Sequence, residues 1–371
     1  MNSNLKKYKY IIAGGGTGGH IFPAIAIADA LKQQQADCEI LFVGANGRME
    51  MEKVPQAGYK IIGLEVVGFQ RSFTFKNLLF PFKLLKSLVQ AFKIVRAFKP
   101  DACIGVGGYA SGPVLFISAL SGIKLFIQEQ NSYPGITNKI LSKFANKIFV
   151  AYDNLNNFFK ADKIILTGNP VRVDITNNLP SRIEALSFFN LDKNKKTILI
   201  IGGSLGARTI NESIEQHIDL FNQNDLQLLW QTGKIYYDGI IERTKNIDIS
   251  DIKIYQFIKE MNMAYAAADI IISRAGALSI SELCIIGKPC ILIPSPNVSE
   301  DHQTKNAMAL VNKNAAVLVK DADAKENLGN IILPLMNDEM KLKELSNNIK
   351  ALAKTNAANE IVMEIIKTIK D

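Results

Sequence analysis

Short apolar runs alternate with longer amphipathic stretches along the chain. Residues 9–13, 39–43, 102–106, 124–128, 147–150 and 163–166 are dominated by Ile, Val, Leu and Phe. Runs of that length, bounded by glycine or polar residues, read as strands buried on both faces. Between them, 23–33, 49–57, 77–98 and 112–121 carry helical periodicity, with Pro81 near the start of the third, where proline is tolerated. After a polar stretch at 174–181 the pattern restarts, with apolar runs at 197–201, 227–230, 252–255, 270–273, 290–293 and 316–319. Residues 341–370 read as helices. This β–α alternation implies parallel sheets covered on both faces. With 371 residues and about 150 per domain, two domains are expected. They divide as 1–172 and 173–350, with a terminal helix in 351–371 packing back on the first.

Two of the strand ends carry the same kind of loop. The first run leads into Gly14-Gly15-Gly16-Thr17-Gly18-Gly19-His20, and the run at 197–201 into Gly202-Gly203-Ser204-Leu205-Gly206. A strand that feeds a glycine turn and a helix N-terminus presents backbone N–H groups to an anion, and glycine lets a diphosphate come close. Two such units suggest two Rossmann-like halves facing each other across a cleft. The first loop also fits the G-x-G-x-x-G dinucleotide fingerprint. An NAD site, however, needs an acidic residue at the end of the second strand, and there the chain has Gly44-Ala45.

Charge adds a second theme. The net charge is +8, and residues 66–100 hold seven basic residues, no acidic one and seven of the nineteen phenylalanines. Basic residues beside Phe and Leu suit an anionic membrane surface, and 71–86 is the segment expected to touch it. Lysine outnumbers arginine and no nucleic-acid motif appears, so nucleic acid is not an expected partner. Residues 102–123 lack charge but hold five glycines and a proline, and read as strand, loop and helix rather than a membrane span. The start of the chain has no apolar region suited to a signal peptide. Cys38, Cys103, Cys284 and Cys290 form no C-x-x-C pair and read as reduced packing residues.

Further chemistry clusters at the strand ends. His20 directly follows the first glycine loop, where an imidazole can act as acid or base. Gly107-Gly108-Tyr109 opens a second loop in the same half. Gln128-Glu129-Gln130-Asn131 is a polar cluster suited to hydrogen-bonding a sugar. In the second half, Ser273-Arg274-Ala275-Gly276-Ala277 opens a helix carrying Glu282, placed to accept ribose hydroxyls, and Glu300-Asp301-His302-Gln303 opens another. Asp321-Ala322-Asp323 has the spacing of a D-x-D metal motif, but such pairs are common in loops and no metal site is expected.

These motifs, together with Gly168-Asn169-Pro170-Val171-Arg172 and in this order, resemble the bacterial N-acetylglucosaminyltransferases that make lipid II from lipid I in peptidoglycan synthesis. The resemblance runs from residue 10 to about 310 and implies a GT-B fold, two Rossmann-like doubly wound parallel-sheet domains across a cleft. It implies UDP-GlcNAc held mainly by the second domain, the lipid acceptor on the first, no cofactor, and a place on the cytoplasmic face of the plasma membrane. By resemblance, Thr17, Gly18 and Gly19 face the donor's phosphate and sugar, and Asn131 and Gln303 hold GlcNAc. Arg172 and Ser204 contact nucleotide and diphosphate. The backbone at Ile258 reads uracil, and Ala277, Leu278, Ser279, Ile280, Ser281 and Glu282 surround ribose and phosphate. Leu205 departs from the family, which usually has glutamine there.

The expected reaction is an inverting transfer of GlcNAc from UDP-GlcNAc to the C4 hydroxyl of the MurNAc of lipid I. His20 is the first candidate base and Glu129 the second. Another GT-B UDP-sugar enzyme, such as a glycolipid synthase or a UDP-sugar epimerase, is the alternative, followed by a NAD(P)-dependent oxidoreductase.

Overall fold

The computed structural model describes residues 6–66, 80–171, 179–203 and 205–371. The chain forms two compact units. One holds the described residues up to Val171 together with the terminal segment Asn356–Asp371; the other holds the described residues between them.

The first unit is built on seven strands: β1 (Lys9–Ala13), β2 (Glu39–Ala45), β3 (Lys60–Leu64), β4 (Ala102–Gly105), β5 (Lys124–Glu129), β6 (Lys147–Val150) and β7 (Ile164–Leu166). Their order is β3-β2-β1-β4-β5-β6-β7, and each neighbouring pair is parallel. Ala13 is in register with Val43 on one side and Gly105 on the other. The strand order therefore reverses between β1 and β4, and doubly wound sheets bind ligands at the carboxyl ends of such a switch point. The loops that begin at Gly14 and Val106 leave the sheet there.

The second unit repeats the plan with β8 (Lys196–Ile201), β9 (Leu226–Gln231), β10 (Ile252–Tyr255), β11 (Ile270–Ser273), β12 (Cys290–Leu292) and β13 (Val317–Leu318). The order is β10-β9-β8-β11-β12-β13, again parallel throughout. Its switch point lies between β8 and β11, the strands that lead into the second glycine loop and the Ser273–Ala277 segment.

Helices cover both faces of each sheet. In the first unit, Ile12, Phe42 and Ile104 face one core with Ile27 and Leu31 of the Gly18–Gln34 helix. Ile11, Val43 and Cys103 face the other with Val95 and Val114, as the alternation of strand side chains requires. The long C-terminal helical pattern is two helices, Glu339–Ala351 and Ala357–Lys370, that belong to different units. Ile361, Val362 and Ile365 of the last helix join the core beside Ile27 and Leu31.

Two local expectations change. The first helix starts at Gly18 rather than Pro23, so Pro23 lies inside it and leaves the Gly19 carbonyl without an i→i−4 donor. The edge strand β3, half exposed and interrupted by Gly63, is too short and irregular to read from its pattern. The four cysteines are buried free thiols, in line with their reading as reduced packing residues.

Candidate functional site

The first glycine loop is held from within the protein. Gly14 donates to the Val43 carbonyl (3.1 Å) and Gly15 to the Gly107 carbonyl (3.3 Å). Gly16 donates to the Glu50 carboxylate (2.8 Å). These three amides are therefore taken up within the protein. The amides of Gly18 and Gly19 begin a helix and have no intrahelical partner, and this is where the loop can favour negative charge. Thr17 is the extended residue before that helix, and its carbonyl accepts the amides of His20 and Ile21.

His20 sits on the first turn of the helix and folds back over the loop. Its Nδ1 is 3.1 Å from the Gly15 carbonyl and 3.2 Å from Thr17 Oγ1. Gly107, at φ +94°, closes the other side. A Cβ there would lie 2.8 Å from His20 Cδ2 and 2.9 Å from Nε2. Glycine at 107 thus supplies both the left-handed backbone and the room for the imidazole.

The polar cluster at the end of β5 is mostly internal. Gln128 donates to Asn169 Oδ1 (2.9 Å), Asn169 to the Gln130 carbonyl (3.0 Å), and Gln130 to the Val106 carbonyl (2.8 Å). Glu129 is 1% exposed. Its Oε1 accepts from the Asn131 backbone (3.0 Å) and side-chain amide (3.3 Å). Its Oε2 accepts from Gly135 N (3.2 Å) and Asn138 Nδ2 (2.8 Å). Burial pushes this carboxyl above its ordinary value, and the four hydrogen bonds oppose the shift. Three of the four residues expected around a sugar are therefore buried ties, and Asn131 alone is half exposed. Lys139 braces the same loop from outside, with Nζ 3.8 Å from the Tyr133 ring centre.

In the second unit, Gln231 at the end of β9 joins two loops. Its Nε2 donates to the Gly203 carbonyl (3.3 Å), and its Oε1 accepts the Ile258 N–H (2.9 Å). The Ile258 N–H is thus occupied, and the side chain is buried. Leu205 stands exposed where a polar group was expected. The helix Ala277–Ile286 begins after Gly276. Ile280 faces the core, while Leu278, Ser279, Ser281 and Glu282 are half buried. Ser281 Oγ donates to the Ala277 carbonyl, and Tyr265 donates to Glu282 Oε2 at 2.9 Å, which fixes the carboxylate's direction. Gln303 Oε1 accepts the Ser295 N–H at 2.8 Å. Just before it, Glu300 and Asp301 are both left-handed (φ 57° and 49°), a strained pair of the kind found at functional turns.

Asp321 is not poised for a metal. Its carboxylate is engaged by Arg274 and by Thr209 Oγ1 (2.9 Å), and Arg274 also donates to the carbonyls of Ile293 and Pro294. Arg172 and Ser204 lie outside the described residues, as does most of the 71–86 segment.

The described part of that segment opens the helix Phe80–Phe98. Ser87, Ala91 and Val95 are buried, whereas Phe82 is 73% and Leu85 61% exposed, with Val89 and Phe92 beside them. The adjoining helices Ser111–Leu120 and Ile136–Leu141 expose Leu120, Ile136 and Ile140. The described helices include none long and apolar enough to cross a membrane.

Both switch-point loops fall inside matched family domains. Residues 10–150 match the glycosyltransferase family 28 N-terminal domain and residues 197–361 its C-terminal domain. The chain belongs to glycosyltransferase family 28. This glycosyltransferase is 56% identical over 366 residues to a protein of Flavobacterium psychrophilum, covering 99% of each chain. It is 55% identical to one of Parabacteroides distasonis, covering 98% of this chain and 99% of the other. Both relatives are named UDP-N-acetylglucosamine--N-acetylmuramyl-(pentapeptide) pyrophosphoryl-undecaprenol N-acetylglucosamine transferase. The solved structure of Acinetobacter baumannii MurG superimposes with a TM-score of 0.79 at 29% identity, over 97% of this chain and 99% of that one. A UDP-N-acetylglucosamine 2-epimerase described as putative, from Listeria monocytogenes, matches with a TM-score of 0.70 at 13% identity, a likeness of fold alone. The fold class is thus the expected GT-B pair of Rossmann-like domains.

Proposed function

We propose that this glycosyltransferase moves GlcNAc from UDP-GlcNAc to the C4 hydroxyl of MurNAc in undecaprenyl-diphospho-MurNAc-pentapeptide, giving lipid II and UDP for peptidoglycan synthesis. The observation that carries the reading is the full-length relationship at 56% identity to a transferase of that name. The chemistry of the loops fits it. The acceptor O4 attacks the anomeric carbon, the bond from that carbon to the diphosphate breaks, and the configuration inverts. His20 takes the hydroxyl proton on Nε2, because Nδ1–H is directed at the Gly15 carbonyl. Helix N-termini, such as the one carrying Gly18 and Gly19 and the one carrying Leu278 and Ser279, favour negative charge of the kind left on UDP. Glu282, aimed by Tyr265, accepts ribose hydroxyls. The Ile258 carbonyl faces uracil, since its N–H is bound to Gln231. Asn131 and Gln303 hold the GlcNAc, and Arg172 and Ser204 the nucleotide and diphosphate. Glu129 supports the Asn131 loop and is not the base.

The exposed Phe82, Leu85, Val89 and Phe92, with Lys83, Lys86 and Lys93 on the same helix, support peripheral attachment to the anionic cytoplasmic face of the plasma membrane, where a polyprenyl-linked acceptor resides. The test is UDP release from UDP-GlcNAc with a short-chain lipid I analogue. His20→Ala should lower kcat by about 10²–10⁴ and leave UDP-GlcNAc binding unchanged. A His20→Ala enzyme with most of its rate and an intact acidic limb in its pH profile would remove His20 as the base.

A further inference from the structure

One buried carboxylate in the first unit has no part in the assignments above. Glu50 is 1% exposed and opens the helix Glu50–Gln56. Its Oε1 accepts the Ala45 N–H at 2.9 Å and its Oε2 the Gly16 N–H at 2.8 Å. Two glycines make room for it. A Cβ on Gly15 would lie 2.2 Å from Glu50 Oε1, and one on Gly44 would lie 2.5 Å from its Cγ. The chain thus gives up side chains at two positions to bring a carboxylate against the first glycine turn.

The bond to Gly16 matters because of what shares its peptide group. The Gly16 N–H and the Gly15 carbonyl belong to one planar unit, and the Gly15 carbonyl is 3.1 Å from His20 Nδ1. A carbonyl only accepts, so Nδ1 carries the proton and Nε2 is the basic nitrogen. Thr17 Oγ1, 3.2 Å from the same nitrogen, can share that proton as an acceptor. A carboxylate on the N–H side of a peptide draws the proton toward itself and enriches the carbonyl oxygen, the cooperative strengthening expected of hydrogen bonds in series. A His often has a carboxylate directly on its second nitrogen; here a peptide group stands between them.

We propose that Glu50 is a positioning residue that acts on His20 through the Gly15–Gly16 peptide, locking the tautomer with Nε2 basic and making that nitrogen the stronger base. The catalytic part of this proposal rests on the reading of His20 as the base; the effect on the imidazole does not. Among the described residues, other titratable groups on the elements around His20 include Asp29 and Lys32 further along its own helix, which engage Tyr59 and the Ala36 carbonyl, Tyr109 on the loop after β4, and Glu129, whose carboxyl is tied to Asn131, Gly135 and Asn138.

Glu50→Gln keeps the shape and removes the charge. Proton NMR titration of the three histidines (His20, His217 and His302), with His20→Ala to assign the signal, reads the imidazole without substrate. His20 in Glu50→Gln should titrate lower by about 0.5–1 pH unit, the size expected for losing one carboxylate at this remove. The acidic limb of the kcat profile should move down by the same amount, with plateau kcat reduced and KM for UDP-GlcNAc unchanged. In the His20→Ala background, Glu50→Gln should cost nothing further. Should Glu50→Gln fail to fold, Glu50→Asp, which keeps the charge, should keep the parent's His20 titration. Unchanged titration of His20 in folded Glu50→Gln, or an equal loss of kcat with and without His20, would overturn the proposal and leave Glu50 as a loop anchor. If His20→Ala keeps its rate, the base assignment falls, and the titration still decides whether Glu50 acts on His20.

Discussion

Replacing Glu129 by glutamine separates a structural carboxylate from a catalytic one. Four donors converge on this buried group, two on each oxygen. Glutamine offers one acceptor oxygen, so whichever way its amide turns, two donors face an NH₂ instead. An unsatisfied buried donor costs about 1–3 kcal/mol. Relief from burying a charge offsets part of this, so we expect a net loss of about 2–4 kcal/mol from the first unit at neutral pH. The chain has one tryptophan, Trp230, buried in the second unit. Its fluorescence transition should stay where it is while the first-unit transition, seen by far-ultraviolet circular dichroism, falls. The pH dependence has a defined sign. Burial holds the folded carboxyl above its ordinary value, so the folded protein keeps a proton that the unfolded chain gives up. That contribution is complete below the unfolded value, about 4.3, and is lost as pH rises through the folded one. The parent's advantage over the variant should therefore shrink as pH rises across this window. UDP-release assays on folded Glu129→Gln should keep the acidic limb. A variant of unchanged stability that lost its rate about 10³-fold together with that limb would refute the structural reading and make Glu129 the base.

Four further outcomes are expected. Glu282→Ala should weaken UDP binding by about 1.5–3 kcal/mol in calorimetry, the size of a hydrogen bond to a charged group. Tyr265→Phe, which frees the carboxylate that Tyr265 orients, should weaken it by less, about 0.5–1.5 kcal/mol; unchanged affinity in both would end the ribose assignment. Exchanging Lys83 and Lys86 for glutamate should release the protein from anionic vesicles at low salt, at about 1 kcal/mol per lysine. Phe82→Ser with Leu85→Ser should weaken binding even at high salt, where the lysines are screened; sedimentation like the parent's in both cases would place the membrane contact elsewhere.

The architecture was legible because its signals are local. A buried parallel strand is an uninterrupted apolar run, and a glycine turn that opens a helix is written in consecutive residues, so β1 with Gly14–Gly19 and β8 with Gly202–Gly206 announced both switch points. The family, too, could be read from ordered motifs. The direction of polar side chains could not be read this way. Gln128, Glu129 and Gln130 look like a sugar site because they are polar at a strand end, yet their partners are Asn169, Asn138, Gly135 and Val106. Most of those lie on other elements, and no spacing rule links them. Glu50 was missed for the same reason. In sequence it is one acidic residue on a short helix, and only the fold sets it against Gly16, 34 positions away. A hint was present all the same: the first loop has more glycines than a dinucleotide fingerprint needs, and the surplus at Gly15 is the room the carboxylate occupies. Glycine where no ligand approaches signals that the protein itself approaches. In this loop the inner amides serve the scaffold, while those of Gly18 and Gly19 open a helix. A buried carboxylate behind the turn is compatible with the proposed role of His20, because it would favour a proton on the imidazole.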